Sequence, residues 1–258
     1  MAASVALPGT VMAGEWRGFQ TEEIVVDGVK GYVVVPRDPL PGKPWLWRAR
    51  FPEYHPEAAV ALAGKGVYLA YYDLPNIFGS PAAVRGFDHF YGAVRKKFGL
   101  SKKVVMEAVS RGGLFTYNWA ATHPERVAAV YGESPVCDMK SWPGGKGKGV
   151  GSEKDWAEAL KAYGFTEAQM MAFRGNPVDH AAKLAKFRIP ILHVISEEDR
   201  VVPWDENSAV FAERYRAAGG SVEVYHNLSG PTEDRGHHFP LDDVNREVDF
   251  VLARVPVR

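Results

Sequence analysis

The run Val104-Val105-Met106-Glu107-Ala108-Val109-Ser110-Arg111-Gly112-Gly113 constrains this chain more than any other segment. Its first part has the apolar, β-branched character of a short buried strand, and a helix-compatible segment, Leu114 to Thr122, follows at once. A strand that reverses so abruptly into a helix needs small residues two positions either side of its tip. Ala108 and Gly112 stand at those positions. Ser110 then occupies the tip with its hydroxyl above the sheet, the setting in which a serine becomes a nucleophile. Small-x-Ser-x-small is a weak pattern alone, and a serine at a strand–helix junction also fits an ordinary helix N-cap.

A serine hydroxyl attacks only when a base removes its proton, and the base needs an acid to fix its tautomer. Both types follow downstream. Ile189-Pro190-Ile191-Leu192-His193-Val194-Ile195-Ser196 is an apolar run of strand length, and Glu197-Glu198-Asp199-Arg200-Val201-Val202-Pro203 comes next. Asp199 is therefore expected just past the carboxyl end of a strand, where open α/β sheets place functional residues. Glu198 and Asp205 are the nearest substitutes. Val222 to His226 reads as another strand, and its following loop ends in Gly236-His237-His238-Phe239-Pro240.

The elbow Ala108-Val109-Ser110-Arg111-Gly112, the acid segment and the Gly-His-His segment together resemble the α/β-hydrolase superfamily of serine esterases. The resemblance takes in nearly the whole chain. It implies an α/β protein with the α/β-hydrolase fold: a mostly parallel central sheet, helices on both faces, and a small cap insertion. It implies Ser110 as nucleophile, Asp199 as acid and His237, the histidine directly after the glycine, as base. His238 competes for that last role. It further implies two backbone oxyanion donors. One is the N–H of Arg111; the other comes from the loop Trp47 to Phe51, at Arg50 or Phe51, where the usual His-Gly is missing. No metal or organic cofactor is implied. Ser-Arg-x-Gly is also locally similar to the elbow of glucuronoyl esterases, although Leu114 stands where they carry lysine.

Strands alternating with helices support the same architecture. Glu22 to Val26, the turn Asp27-Gly28 and Val29 to Val35 read as a hairpin. Lys43 to Ala49, Gly66 to Asp73 and Val127 to Tyr131 read as further strands. Pro56 to Gly64, Pro81 to Phe98, Asp205 to Ala218 and Leu241 to Ala253 read as helices. The chain is expected to form a single domain over 1–258. One segment is too long for a simple crossover, which needs only about a dozen residues; 139–188, with helices around Glu153–Tyr163 and Thr166–Phe173, is read as the cap. Its Gly/Lys run, Gly144 to Gly149, lacks the P-loop pattern. It reads as a solvated loop, or as a rim where Lys146 or Lys148 meets an anionic substrate.

Charge excludes some partners. Lysine plus arginine and aspartate plus glutamate number 31 each, so no net field favours nucleic acid or an anionic membrane. No apolar run approaches the roughly 18 residues that span a bilayer. The single cysteine, Cys137, cannot form an internal disulfide. Met1 to Gly14 lacks the basic region and apolar core of a leader peptide, and compartment and oligomeric state stay open.

The substrate is expected to be a small-molecule or carbohydrate ester, cleaved through an acyl-enzyme on Ser110. Arg48, Arg50 and Arg111 gather near one mouth, and guanidinium groups hold carboxylates. Trp142, Trp45 or Trp47 would stack on a sugar face. A uronate or an acetylated sugar fits these residues. Equally, an arginine here would pair with Glu107 or Glu133 and the tryptophans would be core. A peptidase or amidase on the same triad, and a hydrolase-fold binding protein without turnover, are the alternatives.

Overall fold

The structure is a computed structural model that describes residues 13–228 and 232–255. Residues 1–12, most of the segment read for a leader, lie outside it. Nine strands form one sheet in the order β1-β2-β3-β5-β4-β6-β7-β8-β9. The antiparallel edge comprises β1 (Ala13–Trp16), β2 (Phe19–Val26) and β3 (Val29–Val35). Asp27-Gly28 makes the two-residue turn, both residues at positive φ (51° and 76°), and Val26 pairs with Val29. β3 then pairs antiparallel with β5 (Tyr68–Tyr72). From there β4 (Trp45–Arg48), β6 (Val104–Val109), β7 (Val127–Glu133), β8 (Ile191–Ile195) and β9 (Val222–His226) run parallel. This is the α/β-hydrolase fold.

Helices cover both faces. α1 (Glu57–Gly64) and α8 (Val244–Leu252) pack together on one face, over a core that includes Leu46, Val105 and Leu192. α2 (Pro81–Phe98), α3 (Gly112–Thr122), α6 (Pro177–Ala185) and α7 (Ser208–Ala217) supply the other. Local chemistry sets their ends. α2 opens on Pro81, where a missing N–H costs nothing, and stops at Gly99 in the left-handed region (φ 68°). Its last turn carries Arg95, Lys96 and Lys97, which complement the helix dipole. Phe87 and Phe90 on its inner face are fully buried, each contributing about 1.5–3 kcal/mol.

Two elements were not anticipated. β1 is joined to β2 by Arg17-Gly18, both at positive φ. α6 starts at Asn176-Pro177, which reads as a turn; Asn176 and Asp179 form a capping box instead. Val178, Ala181, Leu184 and Ala185 bury its inner face against α3 and α7. The expected 139–188 cap is therefore divided, because α6 belongs to the helical layer over the sheet. α4 (Glu153–Tyr163), capped by Ser152 Oγ on Asp155 N–H, and α5 (Glu167–Ala172) form the part outside that layer.

The elbow is tighter one residue later than the sequence pattern places it. A Cβ on Gly112 would lie 3.5 Å from Arg50 Cβ, an ordinary contact. A Cβ on Gly113 would lie 2.5 Å from the Val136 carbonyl oxygen, and backbone cannot yield there. Gly113→Ala should lose about 1–3 kcal/mol, whereas Gly112→Ala should stay within about 1 kcal/mol of the parent; urea unfolding of the two variants checks this.

Candidate active site

Ser110 sits directly after β6 at φ 49°, a strained conformation for a residue with a side chain. Backbone bonds fix it. Its N–H donates to the Glu133 carbonyl at the end of β7 (2.9 Å), and its carbonyl accepts from Val136 (2.8 Å) and Gly113 (3.0 Å). The hydroxyl is left to face His237, with Oγ 2.9 Å from Nε2.

His237 and Asp199 meet because two loops interlock. Arg200 N–H donates to the Arg235 carbonyl (2.9 Å), and Gly236, at φ 88°, lies against the Glu198–Asp199 backbone. A Cβ on Gly236 would come within 2.2 Å of the Glu198 carbonyl oxygen. This close approach gives the Gly-His pattern its physical reason. His237 Nδ1 lies 2.8 Å from Asp199 Oδ2, while Asp199 Oδ1 accepts from the N–H groups of Val201 (2.9 Å) and Val202 (2.8 Å). Asp199 is buried, so its carboxylate is held by these bonds rather than by solvent. With Nδ1 donating to Asp199, Nε2 is the acceptor for the Ser110 hydroxyl.

The competing residues are engaged elsewhere. Glu198 accepts from Thr232 Oγ1 (3.0 Å), and Asp205 pairs with Lys148. The His238 ring packs against Tyr54, centroids 5.3 Å apart. His193 is a core histidine: fully buried, Nε2 2.5 Å from Tyr117 Oη, its pKa pushed down to about 3 by burial.

Ser110 and His237 open onto a cavity of about 530 Å³. Phe51, Val109, Trp142, Val150 and Val201 give apolar walls; Arg111, Glu133, Ser152, Asp155, Asp234 and Arg235 give polar ones. The 142–155 stretch of the insertion thus forms one side. Lys146 and Lys148 do not line it. Lys146 pairs with Glu167, and Glu206 accepts from Lys148 N–H and from Ser141 Oγ, pinning the glycine-rich loop.

Three expectations about substrate contacts need correction. Arg48 is 3% exposed and does not line this cavity. Its guanidinium meets Glu107 (2.8 Å) and donates to the carbonyls of Pro52 and Tyr54. The Arg50 guanidinium turns to the Leu74 carbonyl and lies over Phe115; Phe51, at φ 54°, is the loop residue that lines the cavity. Trp45 and Trp47 are fully buried and stacked on each other, and Trp142 is 5% exposed with the Arg111 guanidinium 4.6 Å from its ring centroid. Trp45 and Trp47 therefore offer no indole face to a sugar, whereas Trp142 does line the cavity, with Arg111 over its ring.

Below the nucleophile lies a buried charge cluster that sequence reading did not assemble. Glu107, Glu133 and Glu247 are each 2% exposed, with Arg48 and His55 among them. Burial pushes Glu107 up to about 7, against the pull of Arg48. Burial and then Glu107 push Glu247 well above its ordinary 4.5. Burial lowers His55, but the Glu133 carboxylate 2.7 Å away outweighs it, so the net shift is upward. Among the described residues, no group of three or more His, Cys, Asp or Glu side chains is placed to hold a metal ion.

No protein-family model matches the chain, and no curated protein matches it. Solved structures match its fold. A thermostable esterase from Pseudomonas putida superposes at TM-score 0.66 with 18% identity, over 96% of this chain and 84% of that one. An acylaminoacyl peptidase from Pyrococcus horikoshii superposes at 0.65 with 13% identity, over 96% of this chain and 42% of that one. A puromycin-hydrolysing peptidase from Mycobacterium tuberculosis gives 0.65 and 17%, over 90% and 38%. The chain thus spans about two fifths of the peptidase chains it resembles. These likenesses establish the α/β-hydrolase fold.

The Glu247 shift carries a sign. Its folded pKa is raised, so folded protein holds a proton that unfolded chain releases above about 4.5, and stability falls as pH rises from there. Glu247→Gln mimics the protonated acid. It should match the parent near pH 4.5 and exceed it at pH 8 in urea midpoint; equal midpoints at both values would contradict the buried neutral carboxyl.

Proposed function

We propose that this protein is a serine-dependent carboxylic ester hydrolase. The observation that carries the reading is the continuous pair of hydrogen bonds from Ser110 through His237 to Asp199, opening onto the cavity. Ser110 Oγ attacks the ester carbonyl while His237 Nε2 takes its proton. Asp199 stabilises the imidazolium and keeps the ring oriented. The tetrahedral oxyanion is met by the backbone N–H of Arg111 and a second from Phe51, which fits better than Arg50 because Phe51 lines the cavity. Collapse expels the alcohol, protonated by His237. Water, activated by the same imidazole, then releases the acid and restores Ser110.

A carbohydrate-linked ester, of a uronic acid or an acetylated sugar, is the substrate class we infer. Support comes from the wall of the cavity, where Arg111, Ser152 and Asp155 offer both donors and acceptors beside the nucleophile. A peptidase or amidase uses the same relay, and several of the structural neighbours bear peptidase names. The neighbour matched over most of its own length is an esterase. Comparison of a nitrophenyl ester with a peptidyl amide of the same acyl group separates the two.

A fluorophosphonate probe tests the nucleophile. Mass spectrometry should find one adduct, on Ser110, absent from Ser110→Ala. Labelling and ester turnover should fall about 10²- to 10⁴-fold in His237→Ala. A folded parent that takes no adduct, or takes it at another residue, would remove the enzymatic reading.

A further inference from the structure

The cavity has two flanks, and the relay tells them apart. The leaving oxygen must face His237 Nε2, which lies among His238, Asp234, Arg235 and the Tyr54 ring that packs on His238. The acyl group then extends away from His237, toward the wall provided by Arg111, the residue next in chain to Ser110. There Arg111 and Asp155 form an ion pair, Nη1 to Oδ1 at 3.1 Å, partly exposed to the cavity (side chains 25% and 19%).

This pair is fixed before any substrate arrives. The Arg111 guanidinium lies between the Trp142 ring (4.6 Å) and the Phe51 ring (5.8 Å). Asp155 Oδ1 also accepts from Asn76 Nδ2 (3.3 Å), and Oδ2 accepts from Ser152 Oγ (2.7 Å). A carboxylate offers about four acceptor sites and a guanidinium five donors. Asp155 therefore retains one acceptor position, and Arg111 retains N–H donors beyond the one on Asp155. One rigid wall presents a donor and an acceptor side by side.

Charge decides what that wall accepts. Asp155 neutralises Arg111 where they meet, Glu133 is buried against His55, and the remaining charges of the lining, Asp234 and Arg235, are of opposite sign and stand on the His237 flank. A carboxylate on the acyl group would gain little from the already paired Arg111, would lie beside the like charge of Asp155, and would give up its hydration on entering. A hydroxyl, which both donates and accepts, matches both free valences. On the esterase reading above, we propose that Arg111 and Asp155 are specificity-determining residues that recognise an uncharged, hydroxyl-bearing acyl group and reject an anionic one.

Three nitrophenyl esters test this: 3-hydroxybutanoate, its methyl-for-hydroxyl isostere 3-methylbutanoate, and hemisuccinate. Ratios of kcat/KM within each protein cancel any loss of folded fraction. The parent should favour the hydroxylated ester over its isostere by about 3- to 12-fold, the worth of a hydrogen bond to an uncharged group, and should use hemisuccinate least. Asp155→Ala should erase the hydroxyl preference. Asp155→Asn, which frees the Arg111 charge, should raise hemisuccinate relative to 3-methylbutanoate by about tenfold or more, and Arg111→Met should remove both preferences. If the parent prefers hemisuccinate, or if Asp155→Asn leaves that ratio unchanged while Ser110→Ala abolishes turnover, the proposal falls and the esterase reading stands. No turnover of any of the three by the parent would sink both. A preference for an N-acylglycine ester over the hydroxylated one, also lost in Asp155→Ala, would overturn the hydroxyl assignment in favour of an amide.

Discussion

The hydrogen bond from Ser110 N–H to the Glu133 carbonyl ties a strained residue, the serine that faces His237, to the sheet. A left-handed serine costs on the order of 1–3 kcal/mol and persists only when its surroundings over-determine it. Here they do. β6 and β7 pair up to Val109 and Glu133, so the last carbonyl of one strand catches the first N–H beyond the other. Val136 and Gly113 then close on the Ser110 carbonyl. The same bonds start α3 and aim the hydroxyl. Geometry at the tip is thus a property of the sheet and not of the loop.

That arrangement sets a strongly polar network immediately below the nucleophile. Glu107 points its carboxyl at Arg48 three residues before Ser110, and Glu133 carries His55 at the strand end whose carbonyl holds the serine. Buried ion pairs of this kind contribute little net stability, since desolvation offsets their attraction, yet removing one partner strands the other at a cost of about 3–5 kcal/mol. The cluster therefore acts as a constraint on register between β4, β6 and β7 more than as a source of stability. Burial, and then the cluster's excess of carboxyls over cations, raises the Glu247 pKa.

What the sequence disclosed follows a physical division. Elements with strong local signals were legible: the Asp27-Gly28 turn, the Pro81 start and Gly99 stop of α2, and the apolar runs of β6 and β8. β1 and α6 were not, because the Arg17-Gly18 turn and the Asn176-Pro177 start resemble loop chemistry until tertiary partners are known. At the site, Ser110, Asp199 and His237 were named from the elbow and from order along the chain, and the fold brings all three together. Among the arginines, Arg111 lines the cavity as expected, and the sequence leaves Arg48 between the cavity mouth and a pairing with Glu107 or Glu133 for one reason. Sequence gives a residue's place on a strand but not which face it occupies: Arg48, beside Glu107 in register, turns into the protein, while Arg111 reaches the cavity. Alternation along β4 and β6 would have paired Arg48 with Glu107 had the register been known.

The relay and the walls answer to different parts of the chain. Ser110, Asp199 and His237 sit after β6, β8 and β9, fixed by strand ends, a glycine contact and backbone bonds that no substrate alters. The acyl wall depends instead on the insertion, where Ser152 both caps α4 and bonds Asp155. The cap that starts the helix is thus also a support for the residue that faces Arg111. Among the described residues, the ion pair between this stretch and the elbow is the one from Asp155 to the Arg111 side chain. The Arg111 backbone stays with the sheet. The backbone of Arg111 and its guanidinium thus answer to different parts of the chain, the first to the sheet and the second to the insertion.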